Sequence, residues 1–221
     1  MIRAAMVGAL LGGVALAAAN TAAAEDGTPA GIRWSRTAWA ACGDGAVMIE
    51  ALSNQVGDQG NDHRRPLVLA ACGCARIALP YAPGHATEAR AAIETAEKWA
   101  LKKGATLEQV RDAKEAALAF MGALKDGEGG YDTAAAAVHA AGAAAYPDMD
   151  DPPEAGDSGV KSPDYGACGY AAETVSFVVQ AASAYAAANP KTTAASEAQV
   201  RRKCADIVRR YFPKPPAPAA R

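Results

Sequence analysis

LVLAACGCARIALPYAPGHATEARAAIETAEKWALKKGATLEQVRDAKEAALAFMGAL, residues 67–124, is the stretch whose reading decides the fold. Its apolar spacing predicts three helices joined by two turns. In the first, Leu67–Leu79, one face carries Val68, Cys72, Ala75 and Leu79, and the other carries Ala70, Cys74 and Ile77. A helix apolar on both sides is expected at the centre of a bundle. Cys72 and Cys74 stand about 200° apart around its axis and should face different neighbours. Arg76, its only charge, is expected to reach outward along its own stem. Pro80 and Pro83-Gly84 close the element.

The second helix starts at Thr87, with a stripe of Ala89, Ala92, Ile93, Ala96, Trp99 and Ala100 and a wet face of Arg90, Glu94, Glu97 and Lys98. Gly104 suits a left-handed cap after Lys102 and Lys103, whose charges complement the carbonyl end of the helix. The third helix opens with the TLEQ of Thr106–Gln109, a capping box. Leu107, Val110, Ala117, Leu118, Met121 and Leu124 are expected to form its buried face. Lys114 falls inside that stripe and is expected to lie along it with its ammonium in water rather than to meet a carboxylate.

Working outward, Thr37–Leu52 reads as one helix through Trp39, Cys42, Ala46 and Ile49, weakened at Gly43 and Gly45. Glu50, near that stripe, is expected to reach solvent or a basic partner. Pro66 fits the first turn of the Leu67 helix. Downstream come a glycine break at Asp126–Gly130, an alanine helix at Asp132–Ala145, and an acidic Pro/Gly-rich loop at 147–163. A long helix follows from Tyr165 to Asn189, with Tyr170, Phe177, Ala181, Ala184 and Tyr185 on one face and Val175, Val178, Val179 and Ala182 widening the apolar arc. A last helix starts at the SEAQ box of Ser196–Gln199 and turns Val200, Cys204, Ile207, Val208 and Tyr211 inward. The tail, 213–221, is Pro/Ala-rich and expected to be disordered. The fold class is therefore all-α, a single helical bundle-like domain of six or seven helices over residues 37–212, after a loose lead-in at 25–36. Alanine makes up about a quarter of the chain, against 6% aromatics, and this composition favours closely approaching helices over a sheet.

Residues 1–24 have the layout of a secretory signal peptide. Arg3 supplies the positive end, Ala4–Ala19 the apolar run, and Asn20–Ala24 the small residues before a cleavage point. The run is short for a membrane span of about 20 residues. The expected location is periplasmic or secreted, with no membrane contact once the leader is cleaved. The 22 basic and 24 acidic residues nearly balance, and no basic patch interleaved with aromatics points to nucleic acid.

Export would put the five cysteines, Cys42, Cys72, Cys74, Cys168 and Cys204, in an oxidising space where disulfides persist. Their odd number leaves at least one out, and the sequence does not choose the pairs. The alternative is five buried thiols acting as small hydrophobes. Catalytic, cofactor and metal residues are expected to be none. There is no G-x-S-x-G elbow, C-x-x-C or H-E-x-x-H, and His63, His85 and His139 lie on separate elements. The acids of the 147–163 loop suit calcium by ligand type but lack the spacing of a calcium-binding loop.

Cys72-x-Cys74 followed by Leu79-Pro80, then RAAIETAEKWA at Arg90–Ala100, ATLEQVR at Ala105–Arg111 and an alanine-rich continuation resemble the helical immunity proteins of bacterial polymorphic-toxin systems. The likeness spans residues 67–145. It implies a helical protein that binds a toxin as its partner and neutralises it without chemistry, and it assigns no binding residues. The other functions the residues allow are a periplasmic structural or ligand-binding protein and, less favoured, a cysteine-dependent enzyme.

Overall fold

The structure, a computed structural model, describes residues 34–52, 61–82, 84, 86–124, 129–145, 166–191 and 195–217. The leader at 1–24, the acidic loop at 147–163, His85 and the side chain of His63 lie outside the described residues, as do the first residues of the lead-in and the last of the tail. Eight α-helices and no strand are present among the described residues. They are α1 (Arg36–Ala41), α2 (Gly45–Ala51), α3 (Asn61–Ala78, continued by a 3-10 turn at Leu79–Tyr81), α4 (Thr87–Ala100), α5 (Leu107–Gly122), α6 (Gly129–Ala145), α7 (Ala167–Ala188) and α8 (Glu197–Tyr211).

The all-α class holds. Two boundaries differ most from the reading of the sequence, and α6 also starts early, at Gly129 inside the expected glycine break. The expected single helix at Thr37–Leu52 is two helices, because the chain turns extended at Cys42 and Asp44 restarts it. The Asp44 carboxylate accepts the N–H groups of Ala46 and Val47, satisfying donors that a helix start leaves open. Its other oxygen lies 2.9 Å from Arg201 of α8, which also holds Glu197. The second difference is α3, which begins at Asn61 and carries Pro66 inside it rather than in its first turn.

Both capping boxes form as read. Thr106 and Gln109 exchange side-chain to backbone bonds of 2.9 and 3.2 Å, and Ser196 and Gln199 do the same at 2.8 and 3.3 Å. Gly104 takes the left-handed conformation, with φ at 87°. Ser35 caps α1, and Trp34 meets Trp39 edge-on at 5.4 Å, so the end of the lead-in is engaged with the helical body.

Two helices occupy the middle. α3 packs against α4, α6, α7 and α8, as its two-sided apolar pattern predicts, and α6 packs against α3, α4, α5 and α7. α6 contributes Ala134–Ala137, Val138, Ala140, Ala141, Ala143 and Ala144 to the core. Such thin side chains let neighbouring backbones come close, and Thr133 of α6 ties the start of this helix to α3 by donating to the Ala78 carbonyl. α8 closes the far side. Its Arg209 donates to the carbonyls of Trp39 and Cys42, and the Trp39 indole donates to the Phe212 carbonyl at 2.9 Å.

α5 is peripheral, contrary to its expected six-residue buried face. Only Val110 and Ala117 are buried; Leu107, Met121 and Leu124 are half-buried, and Leu118 is exposed. α5 packs chiefly against α4 and α6, which leaves its other sides uncovered. Likewise, α8 turns Val200, Cys204 and Val208 fully inward, while Ile207 is half-buried and Tyr211 exposed.

Candidate functional site

The residues that carry the resemblance meet at the junction of α3 and α4. Arg76 does not run out to water as expected. Its guanidinium forks onto Glu97, with Nε 2.7 Å from Oε1 and Nη2 2.6 Å from Oε2, a bidentate charge-assisted pair. The Glu97 hydrogen bonds raise the guanidinium's pKa above its ordinary value. Glu97, read as part of a wet face, thus clamps α4 to α3. Two residues on, the Trp99 ring has Arg65 over it at 4.5 Å and Arg64 at 5.6 Å, and Arg65 also donates to the Trp99 carbonyl. Guanidinium groups suit that place twice over, since they stack on the indole and lie near the carbonyl end of α4. A cavity of about 460 Å³ opens beside this junction, lined by Arg76, Leu79, Pro80, Ala86 and Arg90.

The five cysteines are all free thiols and all buried. Burial raises the pKa of Cys72, with Glu97 adding to it, and pushes Cys168 up to about 12. Cys74 is raised first by its hydrogen bond to the Cys204 side chain and then by burial. A thiol becomes a nucleophile as its thiolate, so these three are inert at neutral pH.

What the spacing of residues did not announce is a cluster around His139. His139 is the one ionisable side chain in the alanine run of α6, and its side chain is 19% exposed. Its ring stacks on Phe177 at 4.9 Å and tilts against Tyr170 at 5.7 Å. Tyr170 fits there because position 142 is glycine: a Cβ at Gly142 would lie 2.8 Å from the tyrosine ring. Nδ1 of His139 lies 2.9 Å from Oε2 of Glu173 without forming a hydrogen bond to it. Tyr170, Glu173 and Phe177 follow one another by three and four residues on α7, the spacing that puts all three on one face.

Burial sets the protonation of this cluster. It lowers the His139 pKa to about 4, with the Lys114 ammonium of α5 a second cause, and it raises that of Glu173. Lys114 meets a carboxylate after all, with Nζ 3.4 Å from Oε1 of Glu115. At neutral pH the imidazole is therefore neutral and able to accept or donate one proton. The cluster is a neutral imidazole beside a carboxylate, walled by two aromatic rings. Only the helical pairing of α6 with α7 could have revealed it, because histidine and glutamate are far apart in the chain. Among the described residues no three His, Cys, Asp or Glu side chains are grouped to hold a metal ion. Glu50, expected to reach solvent or a basic partner, is exposed.

No protein-family model, curated protein or solved structure matches this chain.

Proposed function

We propose that this chain is a binding protein of the immunity type, which neutralises a toxin by docking on it and turns nothing over. The observation that carries the reading is the use made of the resemblance-bearing side chains. Glu97 clamps Arg76, Trp99 is covered by Arg64 and Arg65, and Cys72 and Cys74 are wholly buried. An enzyme's signature residues converge on a cleft where a substrate can reach them. These side chains hold helices together instead, as expected of a scaffold that presents a surface.

The surface that fits the role is the outer side of α5. Leu118 is 37% exposed, with Met121 half-exposed one turn on, and Glu108, Arg111, Asp112 and Glu115 exposed around them. An apolar centre inside a charged rim is the composition of a protein-binding patch. The leader-like residues 1–24 support action in the periplasm, where a toxin directed at that compartment would have to be met.

The test is co-expression of the exported chain with the product of the adjacent gene, scoring survival and co-purification. Protection together with a complex is expected. If neither appears, the immunity reading falls. The second reading is a periplasmic ligand-binding protein, favoured by the ionisable and aromatic groups gathered at His139. A small molecule carried by the purified protein in native mass spectrometry, with no toxin complex, would favour it over the first.

A further inference from the structure

Among the five cysteines, the fold brings one pair face to face. Cys74 leaves α3 on the side covered by α8, and Cys204 leaves α8 toward it; neither has any exposed surface. The Cys74 Sγ lies 3.9 Å from the Cys204 carbonyl oxygen, across 130 residues of sequence. Cys72, two residues earlier, stands about 200° away around α3, and no hydrogen bond joins it to Cys204 among the described residues.

The helices around this pair are unusually close. A Cβ on Gly73, the residue before Cys74, would come within 2.9 Å of the Ile207 side chain of α8. A Cβ on Gly45 of α2 would meet the Cys204 Cβ at 2.7 Å and its backbone carbon at 2.8 Å. Glycine at both places leaves the cysteines as the side chains that fill the seam. α8 is the last helix of the fold, so both thiols are wet until it docks.

We propose that Cys74 and Cys204 are joined as a disulfide when the chain folds in an oxidising medium, cross-linking α3 to α8, while Cys42, Cys72 and Cys168 stay thiols. The oxidant is a disulfide, either of a small thiol such as glutathione or of an oxidoreductase. With α8 undocked, the thiolate of one cysteine attacks the oxidant's disulfide, forming a mixed disulfide and releasing one oxidant sulfur as thiolate. The thiolate of the other then attacks the protein sulfur of that mixed disulfide, forming the Cys74–Cys204 bond and releasing the second oxidant sulfur. The protein gives up two electrons, the oxidant disulfide becomes two thiols, and the two protons of the cysteines go to them. Docking of α8 then buries the bond, so that reduction requires the helix to come away again. This cross-link does not depend on the immunity reading, and its failure would leave that reading untouched.

The full chain, unfolded in denaturant with reductant, is refolded either in a mixture of oxidised and reduced glutathione or in reductant alone. In the oxidised sample we expect an intact mass lower by about 2 Da, the loss of two hydrogens in disulfide formation. Three thiols should titrate in denaturant rather than the five of the sequence. A melting point higher by about 10 °C than in the reduced sample is expected from closing so long a loop. Non-reducing digestion should link the tryptic peptide beginning at Cys204 to the one ending at Arg76, and fragmentation between Cys72 and Cys74 should place the bond on Cys74. Cys74→Ser and Cys204→Ser should each abolish the mass change and the melting difference, whereas Cys42→Ser and Cys168→Ser keep both. If the first two variants do not fold, the peptide map of the unsubstituted protein still decides. Five free thiols after oxidative refolding, or a bond to Cys72 or to any other cysteine, would overturn the proposal.

Discussion

α5 and α6 follow one another in the chain and pack side by side, yet they resemble opposite kinds of helix. α5 holds the larger apolar side chains, Leu118, Phe120 and Met121, and keeps them partly in water. α6 offers alanine at most positions and is buried on nearly every side. The difference teaches that in a chain this rich in alanine, depth follows how closely backbones can approach, not how hydrophobic each residue is. A thin helix reaches the middle, and the thicker one is left outside with part of its apolar surface exposed.

The comparison breaks most visibly if it is tested by volume. Ala141→Leu on α6 adds side-chain atoms where none are exposed and should cost about 3 kcal/mol or more, by overpacking. Ala116→Leu on the exposed side of α5 should change stability by less than about 0.5 kcal/mol. Denaturant titration of the two variants measures both, and equal costs would mean that α6 is not the inner helix.

A smaller effect, with a distinct pH signature, lies where the alanine run of α6 carries His139. Above pH 6.5 His139 is neutral both folded and unfolded. As the pH falls from 6.5 toward about 4, the unfolded chain takes up a proton that the buried ring refuses, so stability drops across that window. Glu173 works the other way, because its raised pKa lets the folded state bind a proton more readily than the unfolded one. The half-buried setting and this opposition reduce the loss to about 1–2 kcal/mol. Stability measured from pH 7 to pH 4 should therefore slope less in His139→Gln than in the parent; equal slopes would remove His139 as the cause.

The clamp between α3 and α4 gives a smaller effect still. Glu97→Gln should cost about 1 kcal/mol, since it weakens a bidentate pair that solvent still partly reaches. The loss should shrink when Arg76 is first replaced by methionine. A double-mutant cycle over the two positions reads that coupling, and strict additivity would show that the pair holds nothing together.

Helix existence and the two capping boxes were legible in the sequence because they depend on local spacing: Thr106 with Gln109, Ser196 with Gln199. The break at Cys42–Asp44 was half legible, in Gly43 and Gly45, but the decisive group was Asp44, whose partner Arg201 lies 157 residues away. The face of α5 was misread because periodicity marks an apolar stripe without saying what covers it. The pairing of Cys74 with Cys204 and of His139 with Glu173 was out of reach for the same reason, since each is made by two helices meeting. Composition pointed to close packing, but only the packed structure decides which residues benefit from it.

The smallest expected change in stability is also the one that bears most on function. Leu118→Asp on α5 places a charge where the leucine is already 37% exposed and removes no fully buried contact. Folding should shift by no more than about 0.5 kcal/mol, as for a surface substitution. If α5 is outside because it is a docking face, the same substitution puts a carboxylate into the dry centre of the complex, where an unpaired charge is costly. Binding to the adjacent gene's product should then weaken by at least tenfold, with protection lost in step, while Ala198→Asp on the exposed side of α8 leaves both unchanged. Unimpaired protection by Leu118→Asp would show that the exposed apolar side of α5 is merely what remains when a thinner helix takes the core.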